Sequence, residues 1–75
     1  MRGFIEERVE FRDGFAPRTE VYLAYTAWAS VNGFHNMSAQ RFYESFTAAA
    51  VDMSKTPITL TAMDGTRGYR GIVLN

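Results

Sequence analysis

Up to residue 51 the apolar positions recur at helical spacing, and after Pro57 they alternate with polar ones. Phe4, Ile5 and Val9 share one side, with Glu6, Glu7, Arg8 and Glu10 on the other. That spacing predicts a short amphipathic helix of about two to three turns, with Phe11 packing at its end. A helix so short holds only through tertiary contacts. Asp13-Gly14 with Pro17 then marks a break. Val21, Ala24, Tyr25, Trp28 and Val31 fill the i, i+3, i+4, i+7, i+10 template and predict a second helix over 19–32. Thr19 is its expected N-cap, and Asn32-Gly33 supplies a left-handed stop. A third helix over 38–51 opens at Ser38, with Ala39, Phe42, Tyr43, Phe46, Ala49 and Ala50 at helical spacing. Between them stand the polar Gln40, Arg41, Glu44, Ser45 and Thr47.

Beyond Pro57, Ile58, Leu60 and Ala62 alternate with Thr59 and Thr61, the mark of a β-strand. Asp64-Gly65 is a hairpin signal, and Tyr69 to Leu74 reads as the returning strand. A two-residue turn puts Tyr69, Gly71 and Val73 on the face of Ile58 and Leu60. A loop one residue longer puts Ile72 and Leu74 there instead.

Three helices followed by a two-stranded hairpin is the order of a winged helix-turn-helix, an α+β fold, here one domain over 1–75. Trp28, Tyr25, Phe42 and Phe46 are the expected shared core of helices two and three. Their crossing turns the polar side of helix three outward, as a rod able to enter a major groove. The connection from Gly33 to Met37 exceeds a tight helix-turn-helix turn and suits the winged variety.

Composition narrows the class. Seventy-five residues make one small module, and with no cysteine and one histidine neither disulfides nor a multi-ligand zinc site can brace it. A hydrophobic share of 47% is too rich for a disordered segment. Eight basic against eight acidic residues argue against a non-specific polyanion binder while allowing a local basic face. No apolar run approaches the ~20 residues of a membrane span, and no signal peptide is present, so a cytoplasmic module is expected.

The run Val21-Tyr22-Leu23-Ala24-Tyr25-Thr26-Ala27-Trp28 resembles a helix of the C-terminal domain of phage and plasmid DNA primase–helicases of the superfamily-three type. Phe4-Ile5-Glu6-Glu7 is similar to the end of that family's preceding helix. Ser38, Phe42 and Phe46 are similar to its third helix, and Gly68-Tyr69-Arg70-Gly71-Ile72-Val73-Leu74 resembles its closing strand. The resemblance covers Phe4 to Leu74. It implies a winged-helix DNA-binding domain attached to a helicase motor and often a primase, in a bacterial or phage-infected cell. The chain is then either a domain of a longer protein or a stand-alone product. The resemblance also implies that Ile72 and Leu74 face the core, which favours the longer loop. Departures from the family are threonine and alanine at several positions where it carries arginine or lysine, and Val73 where a basic residue is common.

On helix three the expected DNA-contacting residues are Gln40, Arg41, Glu44 and Thr47, with Tyr43 at the border of the apolar stripe, placed either to join the core or to touch a phosphate. Gln and Arg can bond bidentately to adenine and guanine edges, and Glu can accept from cytosine. Any solvated helix face also carries such residues. In the hairpin, Lys55, Arg67 and Arg70 form a cationic cluster for backbone phosphates, with Asp64 the nearby acid. The expected partners are double-stranded DNA and a helicase motor or other replication protein, with no membrane. No cofactor or metal is expected.

Gly65-Thr66-Arg67-Gly68 fits the GXXG pattern, but that loop joins helices and this one joins strands. Its glycines answer to a tight turn and a crowded strand, and His35 is a turn residue without a second ligand. With no phosphate-cradling GxxxxGK and no nucleophile–base pair, the chain is not expected to be an enzyme. The rival readings are a protein-interaction module, favoured by the neutral charge and by exposed Tyr22, Leu23, Phe34 and Met37, or a stand-alone phage regulator.

Overall fold

The ring of Phe4, fully buried, meets Tyr25, Trp28, Phe42 and Phe46 at centroid distances of 5.4, 5.8, 6.2 and 6.2 Å, all edge-on. The core of the domain is built round this residue, which the first helix carries in. The computed structural model describes residues 1–34, 37–54 and 57–75. Its elements run α1 (Arg2–Arg8), β1 (Val9–Glu10), β2 (Phe15–Pro17), α2 (Arg18–Val31), α3 (Ala39–Met53), β3 (Thr59–Met63), β4 (Thr66–Arg70) and β5 (Val73–Leu74). The result is a mixed α+β domain with three helices and two small sheets. His35 and Lys55 lie outside the described residues.

The helices follow their spacing closely, with local corrections. Helix α1 ends one residue before Val9, whose extended backbone (φ −124°, ψ 134°) pairs with Leu74 instead. A β-branched residue loses little by leaving a helix end for a ladder. Helix α2 begins at Arg18 with Pro17 as N-cap, so Thr19 lies inside the first turn. Proline there sets φ, and its missing N–H costs nothing at that end. The buried row of α2 is Val21, Tyr25 and Ala29, at i, i+4 and i+8, while Val31 is 86% exposed. Helix α3 buries the matching row Phe42, Phe46 and Ala50, and the Ser38 side chain accepts from the Arg41 N–H.

Trp28 is only half-buried, unlike its expected core partners. Its indole N–H donates to Glu7 at 3.1 Å, and its ring stacks on Phe34 at 5.2 Å. An indole needs a partner for its N–H, which keeps it at the rim. Phe4 takes the central place.

The strands depart further from expectation. A three-stranded antiparallel sheet of order β2-β4-β3 and a β1-β5 pair replace the lone hairpin. Phe15–Pro17, in the expected break, pairs with Arg70, Tyr69 and Gly68. Pro17 is tolerated because β2 is an edge strand. The hairpin has a two-residue turn, with Met63 opposite Thr66 and Leu60 opposite Tyr69, so the longer loop is not formed. Asp64 and Gly65 both have positive φ, 52° and 80°, as a type I′ turn requires. Yet Ile72 is fully buried and Leu74 partly so, as the resemblance implied. Gly71 (φ +100°) reconciles the two, breaking β4 so that the chain turns inward before β5.

Candidate nucleic-acid interface

Burying Phe42, Phe46 and Ala50 forces the opposite side of α3 outward, and Gln40, Arg41 and Glu44 are all exposed there. Arg41 belongs to the helical row with Ser45, Ala48 and Asp52. Tyr43 and Thr47 belong to the row that turns toward the hairpin. These last two are half-buried: Tyr43 keeps its border position, and Thr47 is less open than the rest of the non-core side. The Tyr43 ring packs at 6.2 Å from Tyr22 and 5.7 Å from Phe42. The Thr47 hydroxyl lies 3.1 Å from the Tyr69 hydroxyl, across the junction of α3 and β4.

Of the hairpin cations, Arg67 and Arg70 do not share a face. On β4 residues alternate faces, so Arg67 shares a face with Tyr69, the side packed on α3, while Arg70 lies on the other side. Arg67 stands opposite Ala62 near the turn. Arg70 stands at the hairpin base between Phe15 and Thr59 and lines a cleft with Phe11, Arg12 and Asp13. Lys55, the third member, lies outside the described residues. An odd spacing along a strand cannot put two side chains on one face.

Between α3 and the hairpin runs a groove of about 460 Å³, lined by Arg18, Tyr43, Glu44, Thr47, Ala48, Leu60 and Tyr69. Leu60, an apolar position of the alternating strand, is 54% exposed there. The strand β3 is at the sheet edge, and its Leu60 meets the groove. Arg18 is a member of this surface that sequence reasoning missed. Its guanidinium sits 5.1 Å from the centroid of the Tyr43 ring, a cation–π contact. No local pattern announces it, because the partner ring is on another helix.

Among the described residues the ion pairs are Arg2–Asp52 at 3.5 Å and Arg12–Glu10 at 2.9 Å, both exposed. Arg18, Arg41, Arg67 and Arg70 have no carboxylate partner among those residues. Exposed pairs add little stability, but Arg2 does offset Asp52 at the far end of α3. The face of α3 and the inner hairpin side therefore carry two such cations, Arg41 and Arg67, and Arg18 of α2 adds a third at the groove, which Glu44 also lines. Burial raises the Tyr69 phenol above its usual 10.0, with the Thr47 hydrogen bond opposing the rise. Tyr69 is therefore an uncharged hydroxyl at neutral pH.

Among the described residues no helix is long and apolar enough to cross a membrane. Neither curated proteins nor solved structures gave a match. The family described as Poxvirus D5 protein-like matches residues 2–56, a span that takes in all three helices and stops before β3. The chain belongs to the Poxvirus D5 protein-like family, as a D5-type replication-protein domain.

Proposed function

We propose that this domain is the winged-helix DNA-binding module of a replication primase–helicase of the superfamily-three type. Helix α3 reads the groove of duplex DNA, and the β3–β4 hairpin is the wing that grips phosphates. The observation that carries the reading is the outward α3 face of Gln40, Arg41 and Glu44, flanked by a hairpin with an unpaired Arg67. The element order supports it: a strand between the first two helices pairs with the second strand of the terminal hairpin. Family membership supports the replication setting. In this reading the chain itself catalyses nothing and delivers DNA to a motor encoded elsewhere in the parent protein.

The test is titration of a labelled duplex at two salt concentrations. Arg41→Ala and Arg67→Ala should each weaken binding and flatten the salt dependence by about 0.9 in log–log slope, the signature of one lost phosphate contact. Unchanged affinity in both variants would falsify this assignment.

One observation favours a second reading. Leu23 (64% exposed), Ala27 and Val31 form an exposed row on α2, and Phe34 (59% exposed) follows it. That face suits docking to another replication protein. Tyr22 and Met37 contribute less than expected, because the Tyr22 hydroxyl donates to the Met37 carbonyl at 2.8 Å and both are half-buried. Association in sedimentation, with no duplex shift at low salt, would favour this reading over the first.

A further inference from the structure

The groove between α3 and the hairpin has a chemistry that the α3 reading face alone does not require. Its floor and one wall are apolar, formed by Ala48, Leu60 and the ring of Tyr69. At one side Arg18 stacks on Tyr43. A guanidinium over a ring keeps its N–H donors free around its edge, and no carboxylate among the described residues takes them. The hydroxyls of Thr47 and Tyr69 bond to each other at 3.1 Å. Two hydroxyls bring two protons and one bond uses one of them. One O–H is therefore left uncommitted in the groove wall.

A ligand matching this set has an apolar face, an anionic group for Arg18 and an acceptor for the spare hydroxyl. A deoxyribose–phosphate unit has all three. We infer that the groove seats one strand of the DNA backbone, with a deoxyribose against Leu60 and Ala48 and a phosphate on Arg18. The inference rests on the DNA-binding reading and names where the strand lies. It assigns roles to Arg18 and Leu60, neither of which belongs to the α3 reading face. Leu60 offers no partner to a 2′-hydroxyl, so the seat discriminates against RNA. Glu44, at the groove rim, is like-charged with a phosphate and keeps the attraction modest.

Fluorescence anisotropy with a labelled DNA duplex, and with an RNA duplex of the same length, tests this in the whole chain. Arg18→Ala should weaken DNA binding by roughly tenfold, the loss of one hydrogen bond to a charged group. Arg18→Lys, which keeps the charge and loses the fork, should fall between Arg18→Ala and the unaltered chain. Leu60→Ser should narrow the gap between DNA and RNA. Leu60 is exposed and Arg18 half-buried, and unchanged thermal melting of the variants certifies the fold. If Arg41→Ala weakens binding while Arg18→Ala stays within twofold of the unaltered chain, the groove is not the seat and the DNA-binding reading survives. If the unaltered chain binds no duplex at low salt, both fall.

Discussion

The hydroxyls of Thr47 and Tyr69 meet at 3.1 Å and tie helix α3 to the central strand of the sheet. Tyr69 is buried, its ring edge-on to Phe46 at 5.1 Å, so the contact fixes the angle between helix and hairpin. Replacing Tyr69 with Phe keeps the ring packing and removes the bond. A loss of ~1 kcal/mol in urea unfolding at neutral pH is expected.

The same phenol sets an alkaline limit. Its folded pKa is raised above 10.0 chiefly by burial, so the folded state holds that proton more tightly than the unfolded chain does. The stability tied to the neutral hydroxyl is complete below the unfolded value and is lost as pH rises through the folded one. Unfolding midpoints should fall above about pH 10. The fall should be shallower in Tyr69→Phe, and equal slopes in the two proteins would remove Tyr69 from the account.

Phe4 joins the first helix to both others, and truncating it should do more harm than truncating the more conspicuous Trp28. Phe4→Ala is expected to cost about 3–5 kcal/mol, the range for a buried aromatic. In a domain of this size that is much or all of the stability. Trp28→Phe keeps most of the ring contact and loses only the bond to Glu7. Circular dichroism melts of the two variants make the comparison, and a larger loss in Trp28→Phe would refute the placement of the core.

Gly68 is where β2 presses closest on β4. A Cβ there would lie 2.4 Å from the Ala16 carbonyl oxygen and 2.8 Å from the Pro17 Cα, both backbone atoms. Gly68→Ala must therefore push the strands apart, at about 1–3 kcal/mol. Amide exchange should speed up at the β2–β4 ladder while the α3 amides stay protected. Uniform loss of protection would show that β2 is not a separable unit.

Arg67 and Arg70 should behave differently because they lie on opposite faces of β4. Arg67→Ala is expected to weaken duplex binding several-fold, as loss of a phosphate contact does. Arg70→Ala, at the hairpin base, should stay within about twofold, since its side chain lies on the sheet face opposite α3 and makes no phosphate contact there. Reversed ranking would mean that the duplex approaches the outer sheet face.

The sequence by itself determined what depends on neighbours a few residues away. Periodicity placed α2 and α3, Ser38 supplied the cap of α3, and Asp64-Gly65 made the turn, because each is decided within one or two helical turns or a four-residue hairpin. The outward face of Gln40, Arg41 and Glu44 was legible for the same reason: once the apolar row of a helix is known, so is its opposite. Tertiary structure decided the rest. Phe15–Pro17 became a strand only because β4, more than fifty residues later, offered a ladder. Val9 left its helix for Leu74, Phe4 displaced Trp28 from the centre, and Arg18 found Tyr43 on another helix. Such outcomes turn on non-local pairing and burial, which local spacing does not encode.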